Sequence, residues 1–145
     1  MDVFISFALG LLFLCISIYL LVKSIKTCKW LSTQGVIVSS KVNRQVYVFD
    51  ENDISYKTDI IYEYTIADSL YTSKRVYYGD FIEKGWARGV KKTVSKYEVG
   101  KSVNVFYDSG NPQSSVIEKG VHITVIGMLV TGWAFIAIGI FLLLK

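Results

Sequence analysis

The chain has 145 residues, 52% of them hydrophobic and 19% charged, with a formal net charge of +4. A soluble domain carries about a quarter charged residues, so this composition leans towards lipid and excludes a wholly disordered chain. One His and two Cys exclude a zinc site built from several such ligands, and one Pro with 11 Gly excludes a collagenous repeat.

Val3 to Val22 is a run of twenty residues without a charge. About 20 apolar residues in a helix cross the roughly 30 Å of bilayer hydrocarbon, and only a helix satisfies its own backbone there. The run lacks a basic n-region and a small-residue cleavage site, so it reads as a retained anchor rather than a signal peptide. Ser6, Gly10 and Ser17 fall on one face, at offsets of four and eleven, and small residues at such spacing let helix backbones approach closely. Cys15 and Cys28 stand about 20 Å apart along a helix, too far for a disulfide. Residues 1–29 thus form a membrane helix with a basic tail of Lys23, Lys26 and Lys29.

Residues 30–118 hold nine of the ten Tyr and read as a β-rich domain. Alternation predicts strands over Gly35–Val42 and Val46–Phe49, and Asp50-Glu51-Asn52-Asp53 reads as a polar turn. Ser55–Ala67 is the strongest strand, with Ile60, Tyr62, Tyr64 and Ile66 on one face. Asp68-Ser69 is expected to turn it into Leu70–Tyr78. Asp80 and Glu83 mark a helix start, Ala87, Val90, Val94 and Tyr97 recur at helical spacing, and Gly100 stops them. Its polar face is wholly basic: Lys84, Arg88, Lys91, Lys92 and Lys96. Ser102–Asp108 is a last strand, closed by the turn Ser109-Gly110-Asn111-Pro112.

Val121 to Leu144 is a second uncharged run, of twenty-four residues, within a C-terminal membrane segment spanning 119–145. Its small residues Gly127, Thr131 and Ala134 share a face, which predicts packing against the first helix and offers a surface for homo-oligomers. His122 sits at its mouth and is expected to anchor the helix end. Lys and Arg favour the cytosolic side of membrane helices. Lys23, Lys26, Lys29 and Lys119 therefore predict a cytosolic middle domain with both termini outside. The fold class is two transmembrane helices flanking a small antiparallel β sandwich or open barrel with one helix.

Trp30 and Gly35 after the first helix, the Tyr62-x-Tyr64 strand with Tyr71, and Tyr97-x-x-Gly100 form a recurring pattern. With Val103, Val105, Tyr107, Asp108, Asn111 and Pro112 following, it resembles the domain-of-unknown-function 3592 family. Glu98 stands where that family often has Pro, and Ser109-Gly110 replaces a more usual Asp-Pro. The resemblance implies a small bacterial inner-membrane protein of this architecture and supplies no chemistry.

Catalysis lacks parts. No second His accompanies His122, and no phosphate loop or dinucleotide fingerprint occurs. Asp50, Glu51 and Asp53 lack the other ligands of a calcium loop, and Asp59 and Glu63 are about 13 Å apart on a strand, too far for a hydrolytic carboxylate pair. No enzyme, cofactor or nucleic-acid ligand is expected. The basic helix reads as a solvated face, a docking face for anionic lipid, or a contact for an acidic protein. Tyr62 and Tyr64 read as core aromatics or as a partner-binding strand. The expected function is membrane-anchored protein–protein or protein–lipid contact, with immunity against a secreted toxin, or an accessory role beside a membrane enzyme or transporter, as alternatives.

Overall fold

The computed structural model describes residues 3–47, 50–80 and 87–144, and within them all side chains except those of 44–47, 50–56 and 87–91. Helix α1 spans Val3–Thr27 and α3 spans Ile123–Leu143. Both are long and apolar enough to cross a membrane. Between them lie β1 (Leu31–Tyr47), β2 (Asp50–Ile66), β3 (Ser69–Ser73), α2 (Ala87–Lys96), β4 (Ser102–Asp108) and β5 (Asn111–Val116).

The strands form one five-stranded antiparallel sheet in the order β3-β2-β1-β4-β5. Adjacent strands are about 4.8 Å apart, so β2 and β5, three places apart, would lie about 14 Å from each other in a flat sheet. Yet the Tyr64 hydroxyl on β2 donates to the Pro112 carbonyl on β5 at 2.6 Å, and the Tyr62 hydroxyl lies 3.0 Å from Ser115 Oγ. The sheet therefore curls into a half-barrel. Its concave face carries Ile37, Ile60, Tyr62, Tyr64 and Val105, which cluster with Val76, Tyr77, Tyr97 and Ile117 from outside the strands. Gly35 makes the curl possible: a β-carbon there would sit 2.6 Å from Val105 and 2.7 Å from the Glu63 carbonyl.

Several elements differ from the alternation pattern. β1 is continuous through 43–45, absorbing a register shift between Ile37 and Ser39. Asp50–Asp53 belongs to β2, where Tyr47 pairs Asp50 and Val46 pairs Ile54. The second hairpin turns at Ala67-Asp68, both at positive φ (47° and 63°), one residue earlier than Asp68-Ser69. β3 ends at Ser73 because the next backbone groups bond elsewhere: Val76 N–H donates to Asp80, and Val76 C=O accepts from Ile117 and Glu118. Asp80 is thus engaged in this loop, while Glu83 lies outside the described residues. Asn111 and Pro112 open an edge strand rather than complete a turn, and Pro is tolerated at an edge.

α1 and α3 pack antiparallel. Ser6, Gly10, Ser17, Leu20, Ser24 and Thr27 are buried on α1, and Val125, Gly132 and Gly139 on α3. Gly10-Ser17-Ser24 and Val125-Gly132-Gly139 each recur every seven residues, the seam of a left-handed pair. Gly132 abuts Leu14, Gly139 abuts the Phe7 ring, and Phe13 stacks on Phe135 at 5.9 Å. The expectation that Gly127, Thr131 and Ala134 form the packed face is corrected. All three are exposed, and a β-carbon on Gly127 would meet nothing within 4 Å. They lie across the helix from Gly132 and Gly139.

Candidate functional site

The domain is fastened to the helix pair where the chain leaves α1 and enters α3. Thr27, the last residue of α1, donates from Oγ1 to Ser24 C=O at 2.6 Å and accepts from Gly120 N–H at 2.8 Å. Gly120 makes this approach at φ 90°, a left-handed conformation that favours glycine. The loop 74–80 sits over the same end, with Gly79, at φ 106°, beside Leu20 and Val125.

His122 is the N-cap of α3. Its Nδ1 accepts from Thr124 N–H at 3.4 Å and lies 2.8 Å from the Thr124 hydroxyl. Accepting the backbone N–H places the neutral ring's proton on Nε2. The ring stacks on Tyr77 with centroids 3.8 Å apart. Four residues earlier, Glu118 receives the Lys96 ammonium at 2.5 Å and the Tyr97 hydroxyl. Burial pushes the Glu118 carboxyl up, but these two donors outweigh it and hold the group below its ordinary value. The Glu118 hydrogen bond raises Lys96 correspondingly. Tyr97 is pushed up to about 12, by burial first and by the hydrogen bond it donates to Glu118 second.

These groups line a cleft of about 440 Å³ between the C-terminal half of α2 and the start of α3, with Val76, Tyr77, Lys92, Lys96, Glu118 and His122 on its walls. Among the described residues the one ion pair is Lys96–Glu118, which leaves the exposed Lys92 ammonium without a carboxylate. Lys26, Lys29 and Lys119 are exposed around the same end, Lys119 lying over the Phe106 ring. On the other side of Val76 a polar cleft of about 480 Å³ includes Lys57, Asp59, Arg75 and Asp80. There Arg75 is held against Tyr78, which in turn meets Trp30 edge-on.

Of the basic residues expected to act together, Lys92 and Lys96 meet at the first cleft. Arg88 and Lys91 lie on α2 with side chains outside the description, and Lys84 is outside the described residues. Tyr62 and Tyr64 are not a partner-binding surface. Their side chains are 0% and 2% exposed, and the Tyr62 hydroxyl donates to Arg75 C=O. Burial pushes Tyr62 up to about 12. Ser6, Gly10 and Ser17 lie in the helix pair.

Glu118, Tyr77 and Tyr97 were not singled out from sequence as site residues. Lys96 and Glu118 are 22 positions apart, and no local spacing joins them. Among the described residues no group of three His, Cys, Asp or Glu gathers as a metal centre. The arrangement therefore offers a cationic, hydroxyl-bearing recess at a helix end, suited to holding an anion.

Comparison with curated proteins finds no match. A family model described as Domain of unknown function (DUF3592) matches residues 33–122, which takes in the sheet except the first two residues of β1, together with α2 and the cap of α3. The match covers more than half of the sequence, and the chain belongs to that family.

Proposed function

We propose that this protein is a non-enzymatic membrane-anchored β domain that makes contact with the anionic surface of a bacterial membrane. One observation carries the reading: the cationic end of α2 is tied through Lys96–Glu118 to the segment that enters α3. If α3 crosses a bilayer from Ile123, its cap His122 lies in the interfacial layer. That layer is only about 5–8 Å deep on each side of the hydrocarbon. Lys92, Lys96, Lys26, Lys29 and Lys119 are then at head-group depth, where each cation contributes about 1 kcal/mol of attraction to anionic lipid. Lys23, Lys26, Lys29 and Lys119, which flank the two helices, favour a cytosolic domain.

Hydrogen exchange of α2 in the full chain tests the reading, in nanodiscs of phosphatidylcholine with and without phosphatidylglycerol. Slower exchange in the anionic discs, reversed by high salt, is the expected result. Equal exchange in both discs removes lipid contact and leaves an acidic protein as the partner to seek. No observation favours toxin immunity or an accessory-subunit role over this reading.

A further inference from the structure

We infer that the cleft between α2 and α3 seats one phospholipid molecule whose head group is a phosphodiester monoanion, with an acyl chain lying along α3. The inference rests on the membrane-contact reading and sharpens it from a diffuse basic surface to a single built site.

Charge selects the head group. Lys96 and Glu118 neutralise each other at 2.5 Å, and Glu118 also holds the Tyr97 hydroxyl, so its carboxylate is occupied. Lys92 then gives the cleft one uncompensated positive charge among its described groups, matched to a phosphodiester's single negative charge. His122 adds an Nε2–H donor, because its Nδ1 accepts from the Thr124 N–H at the cap. An ammonium and a ring N–H on two walls fit a phosphate oxygen pair.

Shape selects the lipid over a soluble phosphate. The cleft wall includes His122, the cap of α3, and helical geometry aligns apolar residues of α3 below it. Ile126, Leu129 and Trp133 follow His122 at four, seven and eleven positions, within about 40° of it around the helix. Ile126 is 45% and Trp133 64% exposed, and Leu129 is half-buried. Trp133 lies about 16 Å along the axis from His122, near the middle of a bilayer. A head group on Lys92 and His122 thus places its acyl chain on an apolar track ending at Trp133.

Trp133 itself reads the site. In a Trp30→Phe/Trp86→Phe background the full chain is reconstituted in phosphatidylcholine with a minor fraction of phosphatidylglycerol, and one or the other lipid carries brominated acyl chains that quench on contact. Brominated phosphatidylglycerol is expected to quench Trp133 about fivefold more strongly than its mole fraction predicts, the effect of one interfacial cation. Lys92→Gln is expected to remove most of that preference at Trp133, while Lys119→Gln, outside the cleft, has a distinctly smaller effect there. Unaltered emission in bromine-free bilayers checks that each variant is folded.

A preference that survives Lys92→Gln, or falls equally with Lys119→Gln, overturns the site and leaves a diffuse basic collar. Relief of quenching by excess glycerol 3-phosphate overturns the lipid in favour of a soluble phosphate ester. Absence of any preference overturns the site, and with α2 exchange also unchanged between discs, the membrane-contact reading falls with it.

Discussion

A β-carbon on Gly10 of α1 would stand 3.1 Å from the carbonyl oxygen of Gly132 on α3. The two backbones therefore approach closely at this level, with the Ile136 side chain packed against Gly10 and that of Leu14 against Gly132. Such contact replaces the hydrophobic driving force that is missing between helices in lipid. The seam is intolerant where it is closest: Gly132→Leu is expected to separate the pair, and Gly127→Leu, on the open side, to leave it intact. Disulfide trapping between Cys placed at Phe13 and Phe135, whose rings stack, reports the difference. Equal trapping in both variants contradicts the seam.

Gly35 is the second point of backbone crowding. Gly35→Ala pushes a methyl against Val105 and the Glu63 carbonyl, and overpacking of this kind destabilises by about 1–3 kcal/mol. Urea unfolding followed by Tyr fluorescence measures it. A variant as stable as the parent would mean that the sheet flattens without loss.

Tyr62 joins β2, the loop and β5 through one hydroxyl. Tyr62→Phe leaves Ser115, fully buried, short of a partner, at about 1–3 kcal/mol. The pH dependence has a definite sign. Folding raises this phenol from 10.0 to about 12, so the unfolded chain ionises first. Its contribution is complete below pH 10 and is lost as pH rises towards 12. Tyr62→Phe therefore flattens the alkaline limb of the stability curve, read by thermal unfolding across that range.

Glu118 acts on the opposite limb. Its folded pKa is lowered from 4.5, so its stabilising effect is present above that value and is lost as pH falls through the folded pKa. Glu118→Gln is expected to weaken the domain at neutral pH and to reduce the loss on acidification. Glu118→Asp, too short to reach both Lys96 and Tyr97, is expected to behave similarly at neutral pH while keeping an acid-sensitive limb.

Sidedness is checked with one residue. A Cys at Ser32, exposed at the start of β1, in a Cys15→Ser/Cys28→Ser background, is expected to resist an impermeant thiol reagent in intact cells and to react after lysis. Labelling in intact cells reverses the orientation inferred from Lys23, Lys26, Lys29 and Lys119.

Much of the architecture was legible because it rests on local periodicity. Val103, Val105 and Tyr107 alternate in sequence and share the concave face of β4, and the two uncharged runs are helices. What escaped depends on partners distant in sequence. Pro112-Gln113-Ser114-Ser115 has weak strand propensity, and β5 exists because β4 and the Tyr64 hydroxyl bond it. Ala67 carries no turn signal, yet takes a left-handed φ because the β2–β3 register demands it.

On α3 the glycines at 127, 132 and 139 are equivalent as letters, and only the facing Leu14 and Phe7 distinguish them. Tyr62 and Tyr64 as core residues followed from the alternation, whereas the cleft did not. Its walls come from three separate segments: the loop after β3, α2, and the entry to α3.

The bond between Thr27 and Gly120 joins residues 93 positions apart. Bringing together the ends of a flexible segment that long costs about 4 kcal/mol of chain entropy, a burden the helix pair would otherwise bear alone. With the β domain folded, its two ends are already side by side, and the helices need only close a junction of a few residues. The domain is thus a clasp as well as a head. A lesion in the half-barrel, far from any membrane segment, weakens the association of α1 with α3, and a ligand that tightens the domain tightens the helices with it.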